Sequence, residues 1–147
     1  MYGGRNVGGI KAKGAFMAEE LGLVVMVVDD SNTIRSSAQI FLASAGHRVV
    51  FAEDGFAALA AVEDFKPDLI FMDAMMDRLD GYQACRLIKS SESYKDIPIV
   101  MLTGRAGVFD RARGALAGAS EHIAKPFTKE ALLAAVSRHA HGRRGLA

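Results

Sequence analysis

Short apolar runs that end in polar residues constrain the fold of this chain more than any other feature. Each run has the length and branching of a buried strand, and the strands of an open parallel sheet all deliver their last residues to one edge. The sequence therefore predicts that three carboxylates, a hydroxyl and an ammonium group meet at that edge. The runs are Leu23–Val28, Leu69–Met72, Ile99–Leu102 and Glu121–Ala124, and they are followed by Asp29 with Asp30, by Asp73, by Thr103 and by Lys125.

This set of polar residues predicts a phosphoryl-transfer site. Carboxylates that are held close together raise one another's proton affinity, so a cation is needed to keep them ionised. Ligands that are all oxygen favour Mg²⁺, for which Mn²⁺ could substitute. Asp73 is the candidate nucleophile, and Asp29, Asp30 and Asp73 are the candidate metal ligands. Thr103 and Lys125 would hold the phosphoryl oxygens. A single carboxylate at a strand end is more often an ordinary turn or cap residue, but five matching residues favour the site.

Helical segments alternate with the strands. Arg48–Ala52 is predicted to be a further strand, and the helix Phe109–Ala117 is a candidate mobile element because it contains Gly114, which costs about 1 kcal/mol relative to alanine. Five βα units predict an α/β fold of the flavodoxin-like type, in which a doubly wound five-stranded parallel sheet of order 2-1-3-4-5 has five flanking helices. The other helices are expected after Asp30, over Gly55–Phe65, after the cap residue Asp80 and after the cap residue Thr128.

Several motifs make the chain resemble the receiver domains of two-component response regulators. They are Val27-Val28-Asp29-Asp30-Ser31, the strand before Asp73, Asp80-Gly81-Tyr82, Met101-Leu102-Thr103-Gly104 and Ala124-Lys125-Pro126-Phe127. The resemblance extends from about Leu23 to His139. A narrower resemblance is to the stand-alone receivers of the chemotaxis-like pathway that controls type IV pili and twitching motility. It is carried by Ser31–Arg35, Asp54–Phe56, Arg78–Gln83 and Lys125–Glu130.

The resemblance implies a phosphorylation switch. A histidine kinase of the CheA type would donate a phosphoryl group to Asp73 in the presence of Mg²⁺, and the backbone carbonyl of Met75 would be the third protein ligand of the metal. The chain would not be an enzyme beyond catalysing its own phosphorylation and dephosphorylation. Thr103 and His122 would form the switch, and a protein partner would bind the face made by the fourth helix, the fifth strand and the last helix.

The resemblance also implies residues that modulate the reaction. Gly104 would leave room for the phosphoryl group, Arg105 and Met75 would tune hydrolysis, and the Lys125-Pro126 peptide is expected to be cis, as in the family. Asp77 stands where the family commonly has proline, and its carboxylate could either attract the cation or repel the incoming phosphoryl group.

His122 is a second departure, because receivers usually carry a tyrosine or phenylalanine there. It is either a half-exposed strand residue that packs by its ring or a group that makes the switch sensitive to pH.

Length and composition set the remaining expectations. The 147 residues fit one domain, with a flexible glycine-rich tail at 1–22, a receiver domain at 23–141 and a basic tail at 142–147. Met17 is an alternative start. The formal charge of +1 argues against nucleic acid as a partner. No apolar stretch approaches the roughly 20 residues of a membrane span, and there is no signal core, so we expect a cytoplasmic protein without membrane insertion. The single Cys85 is expected in the core.

Three functions compete on this sequence. The leading one is a receiver that binds a partner when it is phosphorylated. The second is a phosphate sink in a chemotaxis-type pathway, and the third is a scaffold that does not depend on phosphorylation. A hydrolase of the haloacid dehalogenase type is disfavoured, because it needs a second acid where this chain has Met75.

Overall fold

A single parallel sheet organises the computed structural model, which describes residues 22–104 and 108–140. The strands lie in the order β2-β1-β3-β4-β5, and all four pairings are parallel. The strands are β1 (Val24–Val28), β2 (Arg48–Ala52), β3 (Leu69–Asp73), β4 (Ile99–Thr103) and β5 (Glu121–Ala124). The helices are α1 (Asn32–Ser44), α2 (Gly55–Phe65), α3 (Gly81–Lys89), α4 (Val108–Ala117) and α5 (Lys129–His139).

The core has two layers, one on each face of the sheet. Successive residues of a strand point to opposite faces, so Ile70 and Met72 of β3 pack with α2, α3 and α4. Leu69 and Phe71 of the same strand pack with α1 and α5. Because β3 and β4 are covered on both faces, every residue in them is buried.

Side-chain caps fix where the helices begin. The side chains of Ser31, Asp54 and Thr128 each accept a hydrogen bond from a backbone N–H in the first turn of the helix that follows. Asp80 does the same for α3 and forms a reciprocal capping box with Gln83. These caps also end the loops at the carboxyl edge of the sheet, so they set the positions of the residues that line it.

The structure confirms the predicted fold class, the strand order and the alternation of strands with helices. The first strand begins at Val24 rather than Leu23, and the fourth helix begins at Val108 rather than Phe109. Cys85 is fully buried, as expected, and burial raises the pKa of its thiol to about 11. The predicted tails at 1–22 and 142–147 lie outside the described residues, except for Gly22. Within the described ranges, no helix has both the length and the apolar character that a membrane crossing requires.

Candidate active site

Three carboxylates converge at the carboxyl edge of the sheet. Asp29 follows β1 directly and Asp73 is the last residue of β3, so the pairing of these two strands brings the side chains together. Oxygen atoms of Asp29, Asp30 and Asp73 all lie within 4.8 Å of one another. Asp29 and Asp73 are buried, whereas Asp30 is exposed and opens the cluster to solvent. The convergence predicted from the strand ends is therefore present in the structure.

Lys125 provides the positive charge of this cluster. Its Nζ lies 3.2 Å from Oδ2 of Asp29 and 3.1 Å from Oδ1 of Asp73. The backbone of Lys125 is held by β4, because its N–H donates to the carbonyl of Thr103 at 2.8 Å. The peptide between Lys125 and Pro126 is cis, as the resemblance implied. One ammonium group thus bridges two buried carboxylates from strands that are adjacent in the sheet.

The electrostatics of the cluster leave excess negative charge. Burial raises the pKa of Asp73, the charge of Asp29 raises it further, and the hydrogen bond from Lys125 only partly opposes this. Burial also opposes the charge on Lys125, but Asp73 and Asp29 outweigh it and raise the pKa of this lysine. Lys125 therefore stays protonated. Its single positive charge does not balance the negative charge of the carboxylates, so the cluster favours binding of a further cation.

Backbone contacts hold the two buried carboxylates in place. Oδ1 of Asp29 accepts a hydrogen bond from the N–H of Ser31 at 2.9 Å, and Oδ1 of Asp73 accepts one from the N–H of Met75 at 3.2 Å. The guanidinium of Arg35 donates to the backbone carbonyl of Asp29 at 2.6 Å. Sequence reasoning did not assign this role to Arg35, which lies one helical turn after the cap residue Ser31 and so reaches back to the end of β1.

Glycine at position 81 is a further requirement that sequence reasoning missed. A Cβ built on Gly81 would overlap the backbone carbonyl of Asp73, so α3 can approach β3 only with glycine at its first residue. The signal was the Asp80-Gly81-Tyr82 motif, which served in the sequence only as a mark of the family. Its physical role is to let the start of α3 lie against the backbone of Asp73.

A cavity of about 280 Å³ adjoins the carboxylate cluster. One wall is formed by residues that directly follow β3 and by the end of β4, and the other wall belongs to α3 and α4. The side chain of Met75 is largely exposed beside it, and a Cβ built on Gly104 would meet no atom within 4 Å. The residues that line the cavity are Ala74, Met75, Tyr82, Thr103, Gly104, Asp110 and Arg113. The space next to Asp73 is thus large enough for a small anionic group.

Of the other predicted residues, the structure describes Asp77, His122 and Pro126. Asp77 is exposed, and it does not belong to the group of carboxylates that converge among the described residues. His122 does not line the cavity but lies behind its far wall, where its Nε2 is 3.4 Å from the hydroxyl of Tyr82. Pro126 is exposed. Arg105 lies outside the described residues.

The donor set fits a hard divalent cation. Three carboxylates offer oxygen ligands within one small volume, and one of them is exposed enough to let water complete the coordination. Mg²⁺ prefers oxygen ligands and retains several waters, so it suits this arrangement better than a metal that seeks nitrogen or sulfur. The net negative charge of the cluster is consistent with the same choice.

The fold and the site define a phosphoacceptor signalling module of the receiver type, and the chain belongs to this family. The family model described as response regulator receiver domain matches residues 25–137. Protein PilG of Pseudomonas aeruginosa is 49% identical over 118 residues, which cover 80% of this chain and 87% of that protein. Response regulator MprA of a Mycobacterium species is 41% identical over 110 residues, or 75% of this chain and 47% of that longer regulator.

Solved structures agree with this assignment. Chemotaxis protein CheY4 of Vibrio cholerae superimposes with a TM-score of 0.77 at 33% identity, covering 80% of this chain and 98% of the other. The receiver domain of the sensor histidine kinase PA1611 from Pseudomonas aeruginosa gives a TM-score of 0.75 at 33% identity, covering 81% of this chain and 98% of the other. That structure has a magnesium ion coordinated in its active-site cleft. The resemblance to receivers is confirmed, and the narrower resemblance is confirmed as a similarity to PilG.

Proposed function

We propose that this chain is a single-domain response regulator whose Asp73 accepts a phosphoryl group from a histidine kinase. The observation that carries the proposal is the ammonium group of Lys125 between the buried carboxylates of Asp29 and Asp73, beside an open cavity. Desolvation of a buried carboxylate is costly, so the ion pair between Asp73 and Lys125 is expected to contribute little to stability. A desolvated carboxylate beside an open cavity is instead suited to act as a nucleophile toward phosphorus.

The proposed step is an in-line transfer to the carboxylate of Asp73. An oxygen of Asp73 forms a bond to phosphorus while the phosphorus–nitrogen bond of the donor phosphohistidine breaks, and the departing imidazole takes up a proton. Lys125 and the hydroxyl of Thr103 hold the phosphoryl oxygens, and Gly104 leaves them room. Release of the group is hydrolysis by water, and in our proposal Met75 and Arg105 set its rate.

Asp29, Asp30, Asp73 and the backbone carbonyl of Met75 would hold the Mg²⁺ ion. When bound, the ion neutralises negative charge on the carboxylates and on the phosphoryl oxygens, so that the two anions can approach each other. Burial and the charge of Asp29 raise the pKa of Asp73, so a bound cation would stabilise the ionised form of this carboxyl. This supports the assignment.

We place the chain in chemotaxis-like control of type IV pilus twitching motility, with a CheA-like kinase as donor. The similarity to PilG over 87% of that protein's length supports this placement. The output surface would be the face of α4, β5 and α5. Leu116 of α4 supports this assignment, because it is a large apolar side chain with an exposure of 82%. The receiver would comprise residues 23–141, with short tails at 1–22 and 142–147.

The test is phosphorylation by acetyl phosphate with and without Mg²⁺, read as the mass of the intact protein. The matched control is Asp73→Asn, which keeps the shape of the side chain and removes the nucleophile. We expect one phosphoryl group on the wild type in Mg²⁺ and none on the variant. No gain in mass on the wild type would refute the proposal and favour the scaffold. A gain that decays quickly, without a partner that binds only the phosphorylated form, would favour the phosphate sink.

A further inference from the structure

Gly114 and His122 fit together across the contact between α4 and β5. A Cβ built on Gly114 would overlap Cε1 of the His122 imidazole and come within 2.6 Å of Nε2, so the ring occupies the space that glycine leaves on the helix. Glycine inside a helix is unfavourable by about 1 kcal/mol relative to alanine, so this helix bears a cost that the fit of the ring explains. The sequence led us to expect a mobile helix at Gly114. The contact with His122 gives a different reason for a glycine at this position.

The ring of His122 also contacts the far wall of the cavity beside Asp73. Its Nε2 lies 3.4 Å from the hydroxyl of Tyr82, and that hydroxyl donates to the backbone carbonyl of Asp110 at 3.2 Å. The carbonyl of Asp110 also lies close enough to the imidazole to raise the pKa of His122. The ring of His122 thus contacts Tyr82 of α3, which is itself hydrogen-bonded to Asp110 of α4, and both Tyr82 and Asp110 line the cavity.

Arg113 completes this wall and depends on the same contacts. Its guanidinium lies 4.4 Å from the centroid of the Tyr82 ring, and its Nη2 lies 3.5 Å from Oδ2 of Asp80, the cap residue of α3. Tyr82 is 3% exposed, so the position of its ring is set by what packs around it. If the imidazole were removed, the hydroxyl of Tyr82 would lose a polar partner, and the ring on which Arg113 lies would be held less firmly.

We propose that His122 is a positioning residue for phosphorylation, which fixes the far wall of the acceptor cavity by seating its imidazole in the notch at Gly114. The inference rests on the proposed function, because it assigns the wall to the reaction at Asp73.

The charged groups around the imidazole make its position against Gly114 sensitive to protonation of His122. Burial lowers the pKa of His122, the carbonyl and carboxylate of Asp110 oppose this, and the charge of Arg111 adds to it. Tyr82 faces the ring from α3 and is neutral at physiological pH, since burial raises its pKa. A protonated imidazole is therefore disfavoured in the notch, and acidification below the ordinary value of 6.5 should loosen the wall.

The test compares four variants in the initial rate of phosphorylation by acetyl phosphate with Mg²⁺. They are Gly114→Ala, His122→Ala, the double variant of these two, and His122→Phe. We expect each alanine variant to lose roughly two- to tenfold in rate, the range that a modest loss of buried packing corresponds to. The double variant should lose no more than His122→Ala alone, because the added methyl group then has room. His122→Phe should restore at least half of the wild-type rate, since its ring refills the notch.

Two further readouts separate positioning from general damage. The ratio of the wild-type rate to the His122→Phe rate should fall as the pH decreases below 6.5, because only the wild type carries the imidazole. Hydrogen exchange of the α4 amides should be faster in His122→Ala than in the wild type, with the exchange of β1 and β3 unchanged. If the wild type accepts no phosphoryl group, the proposed function is refuted. Hydrogen exchange would still test whether the contact between His122 and Gly114 holds α4 in place. Wild-type rates and exchange in both folded single variants, or losses that multiply in the double variant, would overturn the inference.

Discussion

Replacement of Asp73 by asparagine should stabilise the protein when no divalent cation is present. The variant keeps the shape of the side chain and can still accept the hydrogen bond from Lys125, but it removes one negative charge from a buried cluster. With an effective dielectric constant of about 20, unit charges 4.8 Å apart repel by about 3.5 kcal/mol, and unit charges 3.1 Å apart attract by about 5 kcal/mol. Repulsion from Asp29 therefore cancels most of the attraction by Lys125.

The remaining terms decide the sign. Asp30 adds a smaller repulsion because it is exposed, and the desolvation of a buried carboxylate costs several kcal/mol. Burial and the charge of Asp29 together raise the pKa of Asp73, which agrees with a net penalty on its charged form. We expect Asp73→Asn to raise the free energy of unfolding by about 1 to 2 kcal/mol at pH 7.5, within the range by which removal of buried charge can stabilise a protein.

The assay is urea unfolding in EDTA and in saturating Mg²⁺, with Asp77→Asn as the matched control. Asp77 is an exposed carboxylate outside the cluster, so its replacement should change stability by less than about 0.5 kcal/mol. A ligand at one hundred times its Kd stabilises a folded protein by about 2.7 kcal/mol. Saturating Mg²⁺ should therefore make the wild type more stable to urea than Asp73→Asn, the reverse of their order in EDTA. An Asp73→Asn protein that is less stable than the wild type in EDTA would refute the electrostatic reasoning.

The pH dependence gives a second check on the same residue. Asp73 binds its proton more tightly in the folded than in the unfolded protein, where the ordinary value is 3.8. Its contribution to stability is therefore complete below pH 3.8 and is lost as the pH rises through the higher pKa of the folded state. The stability difference between Asp73→Asn and the wild type, in EDTA, should shrink as the pH falls through that range.

Two further predictions concern other parts of the chain. Met75→Asn should shorten the lifetime of the phosphorylated protein, because an amide can orient the attacking water and an exposed thioether cannot; equal decay rates in a chase with unlabelled buffer would contradict this. Glu121→Gln should lower the free energy of unfolding by about 1 kcal/mol at pH 7. Burial opposes the charge of Glu121, but Arg138 at 2.6 Å and His139 at 2.6 Å outweigh it and hold the pKa of this carboxyl below 4.5. The stability that ionised Glu121 provides is present above pH 4.5 and is lost as the pH falls through the pKa of the folded state. Glu121→Gln should therefore lower the free energy of unfolding less at pH 3 than at pH 7, and an equal effect at both would argue against the ion pair.

The apolar runs and their polar ends were sufficient to predict the sheet and the cluster at its edge. Buried parallel strands need continuous apolar residues, and parallel pairing forces their last residues to one edge, so both conclusions follow from local sequence. Asp29, Asp73 and Lys125 were found in this way. The cap residues Asp80 and Thr128 were also predictable, because capping involves residues only a few positions apart.

The contacts between elements could not be predicted, because they depend on which side chains meet across α3, α4 and β5. The sequence shows Gly114 only as a weak point in a helix, whereas the fold places it against the ring of His122. Likewise, Asp77 is four positions from Asp73 in the chain, yet the loop leaves it exposed and outside the cluster. The sequence alone determined which chemical groups reach the edge of the sheet, since strand length and pairing are local. The tertiary structure decided how the far wall of the cavity is held, since that depends on packing between residues distant in the chain.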